Sequence, residues 1–194
     1  MRLTLCKIGW GVVGTLFLMT PFVASTLMAE VKTGDTPTYN WAYAEQASGL
    51  LQEIHQITTQ LRDDTQLLEM HSRRNQLDWR SHAAHLNDIR TNINAMGDNL
   101  RQLQEIHSLI APWQQKAVDR IMPKAVALAD HTELAISFLN EEKGKTWMPS
   151  YVDRVSDMAN HSEEIKNTVS MYLDYGKTSD RLKGLENHIE FTGA

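Results

Sequence analysis

Between Trp79 and Ile110 the apolar positions fall in a narrow stripe. Leu86, Ile89, Ile93, Met96, Leu100 and Leu103 recur at alternating steps of three and four, which is heptad spacing. Trp79 and His82 continue the stripe backwards, and His107 and Ile110 continue it forwards, in the same phase. The residues between them are almost all Asn, Asp, Arg, Gln, Glu or Thr. So thin an apolar face predicts a straight helix packed at a shallow angle in a bundle.

Three other stretches repeat the pattern. From about Asn40, a first helix carries Ala47, Leu50, Ile54, Ile57, Leu61 and Leu68, with Asp64 interrupting the seam and His71 continuing it. The polar run Arg73-Arg74-Asn75-Gln76 predicts a turn, after which Asp78 can accept from the free N–H groups that open the second helix. A single helix running unbroken through this region is the alternative. The second helix ends between His107 and Ala111, and Pro112 suits the first position of a third, where a missing N–H costs nothing. That third helix, Trp113 to Lys143, has Val118, Ile121, Ala125, Leu128, Ala135 and Leu139 in phase. Pro123 inside it predicts a kink or a break. Gly144 stops it and Thr146 can cap a fourth, whose seam is Met148, Tyr151, Val155, Met158, Ile165, Val169 and Tyr172. Beyond Gly176, Leu182, Leu185 and Ile189 fall one step out of phase, which predicts a short separate helix capped by Thr178 or Ser179.

Each main segment is roughly 30 residues, hence about 45 Å long at 1.5 Å per residue. Short connections make consecutive helices antiparallel. The expected fold is therefore all-α, an antiparallel up-down-up-down four-helix bundle with a short C-terminal helix. The bundle occupies residues 40–176, and the short helix and tail occupy 177–194. Trp41, Trp79, Trp113 and Trp147 each fall near a helix start and are expected to plug the bundle ends, ring inside and N–H near water.

The N-terminus reads differently. Arg2 and Lys7 precede an apolar run, Ile8 to Met19, followed by Pro21 and small residues, the layout of a secretory signal over residues 1–29. Val23-Ala24-Ser25 permits cleavage after Ser25, and Leu27-Met28-Ala29 offers a second position. The rival is an uncleaved anchor, since Ile8 to Ala29 is uncharged and long enough to span a bilayer. A polar linker, residues 30–39, follows. The chain is expected to be exported, to the periplasm or cell envelope if the source is bacterial, with membrane contact only if the leader stays.

Of 194 residues, 42% are hydrophobic and 22% charged, with ten Gly and five Pro; that is a folded domain of long helices rather than a disordered chain. The one cysteine, Cys6, precedes the apolar run, so the mature chain is expected to have no disulfide, zinc-thiolate site, cysteine nucleophile or c-type haem attachment. Net charge is -5, and loss of Arg2 and Lys7 would make it more negative by two. This argues against nucleic acid or an anionic lipid surface as partner.

The histidines are the chemistry-bearing feature. A turn near Asn75 would bring His71, at the end of one helix, toward His82 and His85 at the start of the next, with Glu141 or Glu142 arriving from the third. Imidazoles and a carboxylate can hold zinc or copper, which makes His71, His82, His85 and Glu142 the candidate metal set. The Glu-x-x-His pairs of di-iron bundles and the His-Glu-x-x-His of metalloproteases are absent from the sequence. Met96 and Met158 are the ingredients of a haem site, with core packing as the plainer role. His107 reads as a pH switch or a hydrogen-bonded core residue, and His55, His131, His161 and His188 as surface residues. No phosphate loop or nucleophile motif appears, so no catalysis and no cofactor are expected.

The expected function is that of an exported, non-catalytic interaction or structural component of the cell envelope. Its partner would be a protein or a second copy, with Ile106, Leu109 and Ile136 flanking the seams. The alternative is a small-ligand or metal-binding, sensor-like bundle. In outline it resembles the extracytoplasmic four-helix domains of chemoreceptors, by architecture alone.

Overall fold

A computed structural model describes residues 40–74 and 78–192. The expected leader at 1–29, the linker at 30–39, the turn residues 75–77 and the last two residues lie outside the described residues. Among the described residues four α-helices follow in order: α1, Trp41–Arg74; α2, Trp79–Glu105; α3, Pro112–Glu141; and α4, Pro149–Thr192. One turn of 3-10 helix, His107–Leu109, precedes α3. No strand occurs among the described residues, and no helix among them is long and apolar enough to cross a membrane.

Helices α1 and α3 each pack on both α2 and α4, an arrangement consistent with a bundle. Side-chain pairs track the packing. His55 meets Ser170, Gln66 meets Glu163 and Arg73 meets Ser156 along α1 and α4. Lys124 meets Glu164, His131 meets His161 and Phe138 meets Tyr151 along α3 and α4.

The α2 stripe is buried as its spacing predicts: His82, Leu86, Ile89, Ile93, Met96, Leu100 and Leu103 all face the core. Asp78 caps α2, its Oδ1 accepting from the Ser81 N–H at 2.8 Å. α1 ends at Arg74 and α2 packs back on it, so the two are separate helices and not one.

In α1 the buried phase differs from the apolar reading by one position. Thr58, Thr65 and Ser72 are buried, while Ile57, Asp64 and His71 are only partly so. Small hydroxyl residues can occupy these layers because each donates back to its own helix. Thr65 Oγ1 bonds the Leu61 carbonyl at 2.7 Å and Ser72 Oγ the Leu68 carbonyl at 2.6 Å, which removes the cost of a buried unpaired hydroxyl. Thr132 and Ser162 do the same in α3 and α4.

At the start of α3, Ala111 cannot cap with its own side chain, and Gln114 supplies the bonds. Its Oε1 accepts from the Ala111 N–H at 2.9 Å, and its Nε2 donates to the Ala44 carbonyl at 2.7 Å and Ser48 Oγ at 3.0 Å. One buried amide thus closes α3 and ties it to α1. The Asn40 N–H reaches the Leu109 carbonyl at 3.0 Å, fastening the beginning of α1 to the same end.

Several expectations are corrected. Of the kink or break expected at Pro123, the break does not occur, because α3 runs through that residue continuously. α4 opens at Pro149 in the N1 role, with Thr146 buried ahead of it, and not at a Thr146 cap. α3 ends at Glu141 with Glu142 as its C-cap, short of the expected Lys143, and Gly144 takes the turn that follows at φ +84°. No separate C-terminal helix exists: α4 continues through Gly176 to Thr192. The reason is that Gly176 serves packing rather than termination. A Cβ there would stand 2.7 Å from Trp113 Cζ2, so the bare backbone lets the indole seat against the helix. Trp79 and Trp113 pack against the core, whereas Trp41 and Trp147 are 74% and 58% exposed and plug nothing. Of the flanking residues Ile106, Leu109 and Ile136, the two isoleucines are partly buried against the core and Leu109 is exposed.

Candidate functional site

Two regions stand out, one for buried polar groups and one for exposed apolar side chains. The first is the end of the molecule where α2 and α4 begin. His82, in the first turn of α2, is wholly buried, and its Nδ1 lies 3.0 Å from the Tyr151 hydroxyl. Tyr151 is itself fully buried and stacks on Phe138 of α3 at 5.6 Å between ring centroids. The second ring nitrogen, His82 Nε2, is buried with no hydrogen-bond partner, as is His71 Nδ1. Burial pushes the His82 imidazole down to about 4, and positive charge on His85 and His71 would push the same way. Burial also holds the Tyr151 phenol above its ordinary range. This centre is therefore a neutral hydrogen-bonded pair at physiological pH.

Of the candidate metal set, His71, His82 and His85 come close enough for their charges to be felt at His82. Glu142 is engaged elsewhere, its Oε2 accepting from Lys145 Nζ at 2.5 Å. The end of α3 does reach this region, since Lys143 Nζ stands 5.1 Å above the Trp79 ring. Among the described residues no three His, Cys, Asp or Glu side chains form a group able to hold a metal ion. Tyr151 was legible as a seam residue but not as the partner of His82.

Three histidines that read as surface residues are half-buried. His55 Nε2 bonds Ser170 Oγ at 2.9 Å. His131 and His161 face each other at 5.4 Å between centroids, each with a buried Nδ1 lacking a hydrogen-bond partner, and Asp157 Oδ2 lies 3.5 Å from the first of these. Neither segment alone signals this pair, which forms because α3 and α4 pack together. His107 is half-buried as well and hydrogen-bonded, its Nε2 standing 3.0 Å from Asp119 Oδ1.

The second region is the outer face of α4. Met171, Tyr175, Thr178, Leu182, Leu185 and Ile189 follow one another at steps of four and three. All are exposed, and the five larger ones are more than half exposed. At 100° per residue this stripe sits about 130° around the helix from the inner seam of Ile165, Val169 and Tyr172. The inner seam ends at Gly176, and the outer one begins five residues before it. α4 therefore carries two heptad faces: the bundle buries the first, while on the second it touches Tyr175, whose ring lies 6.5 Å from that of Trp113, and leaves the larger side chains more than half exposed. Leu182, Leu185 and Ile189, out of phase with the first seam, are in phase with the second. Near the root of this extension Trp41, Trp113, Gln114 and Asp180 line an open cleft of about 240 Å³.

No family model, curated protein or solved structure matches this chain.

Proposed function

We propose that this protein is an exported, non-catalytic interaction or structural component of the cell envelope, periplasmic in a double-membrane source. Its scaffold is an antiparallel up-down-up-down four-helix bundle. The side-chain pairs support that direction, because partners in α4 fall in number from Ser170 to Ser156 as those in α1 rise from His55 to Arg73. The observation that carries the function is the outer face of α4. A long helix that keeps heptad spacing after its first seam has ended, and leaves Leu182 and Leu185 more than half exposed, has the pattern by which helices recognise other helices. The leader pattern supports export.

Two measurements test this reading. A photo-crosslinking amino acid at Leu182, in cells making the protein, is expected to yield a covalent protein adduct; its absence contradicts an interaction role for this face. N-terminal sequencing of the purified chain is expected to begin at Thr26 or Glu30. A chain still beginning at Met1 and recovered with the cytoplasm contradicts export.

A further inference from the structure

Resting on the reading of α4's outer face as an interaction surface, we propose that its occupant is the same face of a second copy, joined in a parallel two-stranded coiled coil. A second copy supplies a stripe of identical length and spacing, with Tyr175 and Leu182 as one set of heptad knobs and Met171 and Leu185 as the other.

The flanking charges choose the orientation. Arg181 immediately precedes Leu182, and Glu186 immediately follows Leu185; both are exposed. In a parallel pair the position before one core layer faces the position five residues later on the partner helix. Arg181 of each copy then meets Glu186 of the other, twice by symmetry. In the antiparallel register that overlays the same six layers, the two Arg181 side chains converge instead, which opposes association. The outer stripe lies about 130° from the seam that each α4 buries, so a partner helix approaches from the side away from the core, although at the root Tyr175 also rests against Trp113, its ring 6.5 Å away. The stripe spans under three heptads, about 27 Å, so the dimer is reversible and depends on concentration.

Sedimentation of the full chain over a wide concentration range tests this. The expected result is a monomer–dimer equilibrium that Leu182→Lys weakens by about 100-fold or more, since each dimer loses two buried leucines. Arg181→Glu is expected to weaken it severalfold, and Arg181→Glu with Glu186→Arg to restore it. In a Cys6→Ser background, Leu182→Cys is expected to form a disulfide-linked dimer on mild oxidation, because residue 182 faces its own copy only in the parallel arrangement. These positions are exposed, so unchanged circular dichroism shows that each variant folds. A monomer at every concentration, a dimer indifferent to Leu182→Lys, or a dimer that Leu182→Cys cannot link overturns the proposal. Photo-crosslinking at Leu185 in producing cells then separates the two levels. A heterologous adduct overturns the second copy but keeps the interaction surface, and no protein adduct overturns both.

Discussion

Replacing His82 by Gln should flatten the acid side of the stability profile. The wild-type imidazole is buried against Tyr151 and held down to about 4, against an ordinary 6.5. Above pH 6.5 the ring is neutral in both folded and unfolded chains, and this group adds no pH dependence. Between pH 6.5 and 4 the unfolded chain takes up a proton that the folded chain refuses. Stability therefore falls as pH falls, by up to about 1.4 kcal/mol per pH unit and by roughly 3 kcal/mol in all. Below about pH 4 the folded protein protonates too, and the loss levels off. Urea unfolding at pH 7.5, 5.5 and 4.5 reads the effect. His82→Gln keeps a hydrogen-bonding group beside the Tyr151 hydroxyl but cannot titrate, so the difference between the two profiles isolates His82 from the other histidines and carboxylates. Parallel profiles from pH 7.5 to 4.5 would refute the claim that a neutral, desolvated His82 is part of the core.

Three further substitutions test other parts of the account. Gly176→Ala puts a methyl 2.7 Å from the Trp113 ring and should destabilise by about 1–3 kcal/mol despite alanine's better helix propensity; a more stable variant in urea unfolding contradicts the packing role. Thr65→Val should be neutral or stabilising within about 1 kcal/mol, because its hydroxyl serves only its own helix; a loss above about 2 kcal/mol would mean that the hydroxyl has another task. Gln114→Leu strands the Ala111 N–H, and the loss of the bonds to Ala44 and Ser48 should bring the cost to about 2–4 kcal/mol, with hydrogen exchange rising first at the start of α1 and α3.

The legible parts of the sequence were those where hydrophobicity and burial coincide. The α2 stripe was readable residue by residue because its buried positions are Leu, Ile and Met. In α1 the buried layers include Thr58, Thr65 and Ser72, and polarity at those positions drew the apolar reading to Ile57, Asp64 and His71. A hydroxyl that bonds its own helix leaves no mark in hydropathy, although the heptad spacing of these three was there to be seen. Gly176 looked like a stop because glycine ends helices more often than it makes room for an indole. Leu182, Leu185 and Ile189 fall out of phase with the first seam, a pattern that a second face on one helix produces as readily as a new helix does. The His82–Tyr151 pair and the facing rings of His131 and His161 depend on which helices adjoin, which no single segment's pattern contains.

The most direct test of the central claim is native mass spectrometry of the mature protein, purified from its own export compartment without chelator. The expected spectrum shows a polypeptide mass with no metal or small molecule added, and a second peak at twice that mass that Leu182→Lys abolishes. A bound mass that His71→Ala with His82→Ala removes, on a chain that stays monomeric, would contradict it and make the histidine end of the molecule the functional site.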